Sequence, residues 1–261
     1  MIVLPMAGAS SRFSRGGYDI PKYMLQLHGY SSFAHALGSF SDYFARERFL
    51  FVCRDLHDTP GFVRSECACI GLSEDRFDVV VLRAGTSGQA ETVAAGLRHA
   101  SVPAEEPLTI FNIDTFRSGF RHPDHLLDLN AIDGYLEVFE GDGESWSFVR
   151  PAEESAESGK VLEVAEKTRI SSLCSDGLYH FRSAELYLSL YAEIAGTDPT
   201  ALQGGERYVA PLYNIAIRGG MDIRYVRIAA EHVRFCGTPQ EYESLRTRRA
   251  FVPIDAGGSL R

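Results

Sequence analysis

The sequence has no uninterrupted apolar run approaching the roughly eighteen residues of a membrane-spanning helix, although 45% of its 261 residues are hydrophobic. That apolar material is therefore expected in a core, enough for one large α/β domain or two small ones, with no membrane as partner. A basic leader is missing too: MIVLPMAGAS opens without an n-region, so no signal peptide is expected and the expected location is cytoplasmic. Cysteine is scarce and unpatterned. Cys53, Cys67, Cys69, Cys174 and Cys236 are odd in number, and the single residue between Cys67 and Cys69 falls short of the about two to four that separate paired zinc ligands. Free thiols in a reducing compartment are the expectation. Positive charge is in deficit, with 35 acidic against 26 basic side chains and a net charge of −9, which argues against a nucleic-acid partner. A small anionic ligand would then need a local cluster of cations. Internal repeats, low-complexity tracts and long linkers are absent as well.

What is present alternates. Ile2–Pro5, Phe49–Cys53, Asp78–Leu82 and Leu108–Ile113 are short and nearly all apolar, the pattern of strands buried on both faces. The segments between them are long enough for helical crossovers, which predicts an open, mostly parallel, doubly wound α/β sheet. The second half is more mixed. Tyr135–Phe139, Trp146–Arg150, Val161–Lys167 and Gly177–Phe181 have strand character, and the polar turn Glu140-Gly141-Asp142-Gly143 suggests a hairpin-like connection between the first two. A helix is predicted over Ser183–Ala195, and strands over 222–229 and 232–236. Thr238-Pro239-Gln240-Glu241 has an N-cap Thr, Pro at N1 and Glu at N3, a strong helix start. The Gly-rich end of 250–261 is expected to be a loose tail.

The first strand runs into Pro5-Met6-Ala7-Gly8-Ala9-Ser10-Ser11-Arg12-Phe13. Small residues after a buried strand let the backbone approach a ligand, and their N–H groups can cradle phosphate oxygens. Arg12, Arg15 and Lys22 add the positive charge that phosphoryl-type transfer needs around the moving group. No Gly-Lys-Ser/Thr follows and the spacing is not GxGxxG. On its own the segment fits a tight strand-to-helix turn with solvated arginines equally well.

The full set of motifs resembles the sugar-phosphate nucleotidyltransferase family, whose opening signature is approximately L-x-A-G-x-G-T-R followed by P-K. Here Leu4, Ala7-Gly8-Ala9-Ser10-Ser11-Arg12 and Pro21-Lys22 correspond to it, with Ser10 and Ser11 where Gly and Thr are commoner. Gly85-Thr86-Ser87-Gly88-Gln89-Ala90, Asn112-Ile113-Asp114, Glu166-Lys167, Gly177-Leu178-Tyr179 and Gly237-Thr238-Pro239 follow in the family's order. Asp133-Gly134-Tyr135, Trp146-Ser147-Phe148 and Tyr208-Val209-Ala210-Pro211-Leu212-Tyr213-Asn214 resemble the branch found in capsule and lipopolysaccharide biosynthesis, some of whose members use CTP. The resemblance implies a nucleotide-diphospho-sugar transferase (GT-A-like) fold. It implies one domain over 1–261, with a nucleotide-binding half at 1–130, an acceptor-binding half at 131–249 and a tail at 250–261. It also implies a Mg²⁺-dependent enzyme that transfers NMP from an NTP to a small phosphorylated acceptor, as a monomer or a homo-oligomer.

The resemblance also assigns residues. Arg12 and Lys22 would hold the triphosphate, with Ala7, Gly8, Ala9, Ser10 and Ser11 around it. Asp114 would bind Mg²⁺, as a hard cation prefers carboxylate oxygen, or would cap the next segment. Gly88 and Gln89 would face the base, where an amide that both donates and accepts suits a pyrimidine edge. The same Thr86-Ser87-Gly88-Gln89 string fits a capping box in which Gln89 reaches back to Thr86. Lys167 would bind the acceptor phosphate with Glu166 beside it, or the two would be a strand-end ion pair. Gly177 would let the acceptor lie close to the backbone, or would mark a strand bulge. His122, Asp124 and His125 fit a polar loop better than a metal site.

Two departures stand out. Cys236 occupies the place before Gly-Thr where many members carry a second Mg²⁺-binding Asp, and thiols are poor Mg²⁺ ligands. Substrate phosphates or another carboxylate, such as Glu231, would have to compensate. Asp176 precedes Gly177 where a small residue is commoner, so its charge would repel an acceptor phosphate or select an acceptor with an amine or hydroxyls. A GT-A-type glycosyltransferase is one alternative, although it leaves Arg12 and Lys22 unexplained. A catalytically silent nucleotide-binding regulatory protein is another.

Overall fold

The computed structural model describes residues 1–153 and 156–248, so the tail expected at 250–261 lies outside the described residues. In chain order the strands are β1 (Ile2–Met6), β2 (Gln26–Leu27), β3 (Tyr30–Ser31), β4 (Phe49–Arg54), β5 (Phe77–Leu82), β6 (Leu108–Phe111), β7 (Thr115–Arg117), β8 (Gly134–Glu140), β9 (Ser147–Pro151), β10 (Ser158–Glu166), β11 (Leu173–Phe181), β12 (Ile223–Arg227) and β13 (Val233–Phe235). The helices are α1 (Ser11–Arg15), α2 (Ser32–Gly38), α3 (Thr59–Cys69), α4 (Gln89–His99), α5 (Ala184–Ala195), α6 (Leu212–Arg218) and α7 (Pro239–Thr247). Among the described residues no helix is long and apolar enough to cross a membrane. All five cysteines are free thiols.

The chain forms two compact units. One comprises Ile2–Gly85, Asn112–Arg121 and the described residues from Glu231 onward. Its strands β5, β4 and β1 pair in parallel, in that order. Strand β4 lies between two neighbours, and its FLFVC run is buried throughout, as a nearly continuous apolar sequence requires. Strand β5 departs from the expectation of burial on both faces: it lies at the edge, with Val81 42% exposed and Asp78 ion-paired to Arg48 at 2.7 Å. Apolar composition gave the strand but not its place in the sheet. Helix α2 is capped by the Ser31 hydroxyl, which accepts the Ala34 N–H at 3.0 Å, a contact that contributes about 1 kcal/mol. The helix carries Phe33 to 5.3 Å from Phe51 and 5.7 Å from Phe62 of α3. Strand β13 pairs antiparallel with β7. Helix α7 then starts as its sequence predicts: Thr238 Oγ1 accepts the Glu241 N–H at 3.2 Å, and the Glu241 carboxylate accepts the Gly237 N–H at 2.9 Å.

The other unit comprises Met1, Thr86–Phe111 and His122–Ala230. Its strands are ordered β6-β11-β8-β12-β10-β9. All neighbouring pairs are antiparallel except β8–β12, which is parallel, so the mixed character expected of the second half is present. The hairpin expected between β8 and β9 is not. The neighbours of β8 are β11 and β12, while β9 pairs with β10 and, at one residue pair, with β11. The physical reason is that both hydrogen-bonding edges of β8 are taken by strands remote in sequence, β11 and β12. All but the last residue of β8 is buried, and the Glu140–Gly143 turn leads away from it, closed by Trp146 Nε1–H donating to the Asp142 carbonyl at 2.8 Å. Helix α5 is capped by Ser183, whose hydroxyl accepts the Leu186 N–H at 3.1 Å.

Much of the Tyr208–Asn214 stretch supports this sheet. Tyr213 Oη donates to the carbonyls of Tyr135 and His180, both at 2.9 Å, and its ring stacks on Phe181 at 4.6 Å. Strand β10 pairs with β12 only over Ser158–Lys160. Beyond that point Asn214 takes the place of a strand neighbour, accepting the Val164 N–H at 2.8 Å and donating to the Val164 carbonyl at 2.6 Å. Replacing Asn214 with Ala leaves both main-chain groups without their partner. The expected loss is about 1–3 kcal/mol, read as a lower urea midpoint with an unchanged m-value.

Candidate active site

In the parallel-sheet unit, β1 delivers the chain to an exposed loop at Gly8 and Ala9. Ser10 is left-handed (φ 50), a conformation that a residue with a side chain adopts at a cost of about 1–2 kcal/mol. Its hydroxyl accepts the Lys22 N–H at 3.3 Å, which ties the loop to the turn that starts after Pro21. Lys22 Nζ donates to Asp114 Oδ2 at 2.5 Å, and each of the two side chains is 24% exposed. Strand β6 ends at Phe111, so Asp114 stands in the turn that follows, closed by the Thr115 N–H donating to the Asn112 carbonyl at 3.2 Å. The Cys236 N–H donates to the Asp114 carbonyl at 2.7 Å, which fixes this turn against the end of β13.

Burial works to raise the Asp114 carboxyl, but the charge and hydrogen bond of Lys22, helped by the charge of Arg12, outweigh it and hold the group below its ordinary range. Asp114 is thus an anion with a cation already against it. Gly237 leaves the space beside it open: a Cβ there would stand 2.8 Å from Asp114 Oδ2. Asp114 supplies one hard carboxylate oxygen of the kind a Mg²⁺ ion would take, beside Gly237 and with the Lys22 ammonium against it. Cys236 does not fit a ligand role. Burial pushes its thiol up to about 12, so it is neutral and lies in the interior beside Ser32, 3.8 Å away. Glu231 is exposed in a single 3₁₀ turn.

Among the described residues the N–H groups of Gly8, Ala9 and Ser10 make no hydrogen bond, which leaves donors uncommitted where a phosphate cradle was expected. Ser11 and Arg12 begin α1, and Arg12 is exposed. Arg54, not singled out from the sequence, joins them. Its Nε donates to the Ala7 carbonyl at 3.0 Å, and a Cβ on Gly85 would lie 3.7 Å from its Nη1. The available signal was its place as the last residue of β4.

In the mixed-sheet unit, Gly88 precedes α4 with φ 144, and a Cβ there would meet the Arg207 main chain at 2.6 Å. Only glycine permits that approach. Gly88, not Thr86, is the N-cap residue of α4, and Gln89 is its first helical residue. Glu91, at the third helical position, accepts the Ser87 N–H at 2.7 Å. The helix starts later than the capping box expected at Thr86 assumes. Glu166 ends β10 and is buried, with the Ser147 hydroxyl donating to its Oε2. Burial raises its carboxyl above the ordinary range, against the lowering effects of Ser147 and Lys167. Lys167, the next residue, is left-handed at φ 54. Its ammonium donates to Tyr208 Oη rather than forming the surface pair with Glu166 that the sequence allowed.

Gly177 (φ 94) lies in a register shift of β11 against β8 between Ser175 and Tyr179. A strand bulge is therefore present at this glycine. Asp176 is buried there, and its Oδ1 accepts the Leu178 N–H at 3.0 Å while Ser175 Oγ accepts the Gly177 N–H at 3.1 Å. Its carboxylate serves the bulge. His122 Nδ1 is 3.0 Å from Tyr135 Oη, and no group of three or more metal-ligating side chains occurs among the described residues.

No protein-family model and no curated protein matches the chain. Solved structures do. The nucleoside-diphosphate-sugar pyrophosphorylase from Vibrio cholerae RC9 is 45% identical, with a TM-score of 0.87 over 95% of this chain and 100% of that one. A UDP-glucose pyrophosphorylase complexed with UDP-glucose (15% identity, TM-score 0.74, 94% and 96% covered) shares the fold. So does the inositol-1-phosphate CTP transferase from T. maritima (18%, 0.71, 94% and 93%).

Asp114 and Glu166 make stability respond to pH in opposite senses. The contribution of Asp114 is present above the ordinary value of 3.8 and is lost as acid titrates the lowered folded group. Glu166 favours its neutral form in the fold, so its contribution is complete below 4.5 and is lost as pH rises through the raised folded value. Glu166→Gln is expected to raise stability near neutral pH and to flatten that loss, whereas Lys22→Met should lower stability by about 1–3 kcal/mol and move the Asp114 titration upward. Urea unfolding across a pH series and carboxyl-detected NMR titration check both.

Proposed function

The chain belongs to the sugar-phosphate nucleotidyltransferases, the family of the nucleoside-diphosphate-sugar pyrophosphorylase it matches, and on that premise we propose that it joins a nucleoside monophosphate to a small phosphorylated acceptor, a sugar phosphate or a related compound. An oxygen of the acceptor's phosphate attacks the α-phosphorus of an NTP. A new P–O–P bond forms as the bond to the β-phosphate oxygen breaks, and pyrophosphate leaves. No side-chain nucleophile is needed, because a phosphomonoester with a second pKa near ~6 is largely dianionic at neutral pH.

The observation that carries this proposal is the Lys22–Asp114 pair: cation and carboxylate at 2.5 Å, with Arg12 close enough to influence the same carboxyl. In the proposed roles Arg12 and Lys22 hold the triphosphate, the first as a planar fork and the second as a mobile point charge. The main chain of Ala7, Gly8, Ala9, Ser10 and Ser11 surrounds the phosphates, supported by the uncommitted donors of that loop. Gly88 and Gln89 face the base, where an amide suits a pyrimidine such as that of CTP. Lys167 orients the acceptor phosphate, with Glu166 and Gly177 lining its place. Asp114 would hold Mg²⁺, which when bound supplies neutralising charge for the phosphates. The capsule-branch motifs support a cytoplasmic role in surface-polysaccharide precursor synthesis.

A pyrophosphate-release screen of the four NTPs against sugar phosphates, phosphocholine and amino-acid-like phosphates tests the proposal. One NTP–acceptor pair is expected to turn over, and Asp114→Ala and Lys22→Ala should each lower kcat/KM by about 10²-fold or more. Full activity in either variant overturns the site. Glycosyl transfer from a nucleotide-sugar without pyrophosphate release would identify a glycosyltransferase. NTP binding without turnover of any acceptor would identify a silent nucleotide sensor.

A further inference from the structure

Asn214 and Tyr213 hold the sheet through main-chain groups, whereas the hydroxyl of Tyr208, at the start of the same stretch, meets a side chain, Lys167. The ammonium of Lys167 donates to Tyr208 Oη and stands 4.5 Å from the centre of the same ring. A phenol oxygen that accepts from an ammonium keeps its own proton, and repulsion turns that proton away from the cation. The pair therefore presents two donors side by side, on a half-buried tyrosine and an exposed lysine. Burial keeps the phenol above its ordinary range, against the lowering effect of Lys167, so the proton stays on at neutral pH.

The mount is rigid. Gly204 (φ 75) backs the ring: a Cβ there would meet Tyr208 Cε2 at 2.8 Å and Glu166 Cγ at 2.9 Å. Arg207, the preceding residue, is pinned on both sides of its main chain, its N–H donating to Ser87 and its carbonyl accepting from Ala90, both at 2.8 Å. Its guanidinium is held by Glu91 at 3.1 Å and by the carbonyls of Ala195 and Thr197 at 2.9 and 2.8 Å. An aromatic side chain fixed in this way loses little freedom when it binds a ligand.

We propose that Lys167 and Tyr208 act as a single anion clamp, in which the Tyr208 hydroxyl is the second donor to the acceptor's phosphate. This rests on the acceptor-side assignment of Lys167 made above. One point charge would neutralise a phosphate without orienting it. Two donors on different oxygens fix its rotation and so decide which oxygen is left to attack.

Tyr208→Phe keeps the ring and its contact with the ammonium and removes only the hydroxyl. Calorimetric titration of the full chain with glucose 1-phosphate, phosphocholine and inorganic phosphate tests the clamp without turnover. The expected result is about tenfold weaker binding of the phosphate that wild type takes up. The acceptor KM should rise by more than kcat falls, with the NTP KM and the thermal midpoint unchanged. In a Lys167→Ala background the same substitution should cost less. If Lys167→Ala loses binding and Tyr208→Phe does not, the clamp is overturned and the acceptor site stands. If neither variant differs from wild type, or if wild type binds none of the three anions, the assignment of Lys167 falls and the clamp with it. A lowered thermal midpoint with equal loss of NTP and acceptor binding would make the hydroxyl structural and overturn the clamp.

Discussion

The contact between Lys22 and Asp114 is the constraint on which the candidate site depends. The two residues are 92 positions apart in sequence, and each offsets the cost of removing the other's charge from water. A carboxylate largely removed from water needs a partner charge, and a lysine three-quarters buried needs an anion. The surrounding structure is arranged to keep them in register. Ser10 accepts the Lys22 N–H from the loop, Cys236 donates to the Asp114 carbonyl from β13, and Gly237 withholds a side chain from the carboxylate. The outcome is a part-buried ion pair inside a protein whose overall charge is negative.

Cys236 clarifies how the site differs from a two-carboxylate metal centre. Burial makes this thiol a neutral core group, and its useful contribution comes from its main chain, through the N–H that anchors Asp114. A single protein carboxylate is compatible with Mg²⁺, which retains waters readily and takes phosphate oxygens from its substrate. Asp176 follows the same logic in the other unit. Its side chain satisfies a main-chain N–H of the bulge at Gly177.

Several residues of the mixed-sheet unit have unusual backbone conformations. Lys167 and Gly177 lie in the left-handed region, and Gly88 has a φ that only glycine takes comfortably. Such conformations persist where neighbouring contacts hold them. Here the contacts come from Trp146, whose carbonyl accepts the Lys167 N–H at 2.8 Å, from the Ser175 and Asp176 side chains, and from the pinned loop at Arg207.

Periodicity and composition by themselves determined most of the elements. The apolar runs of β1, β4, β6, β8 and β11, the Ser183 and Thr238 caps and the free cysteines were legible, because burial, capping and turn chemistry act within a few residues. The motif order also pointed to Arg12, Lys22, Asp114, Glu166 and Lys167 as the residues to watch. Only the tertiary structure decided which strands are neighbours: the sequence around Glu140–Gly143 looks like a hairpin, yet both edges of β8 are taken by β11 and β12. It likewise decided that Glu91 accepts the Ser87 N–H ahead of α4, that Lys167 turns to Tyr208 and not to Glu166, and that Arg54 reaches the Ala7 carbonyl. Each of these depends on how far a side chain extends towards a partner remote in sequence or just past a helix start. Distances of that kind exist only once the chain has folded.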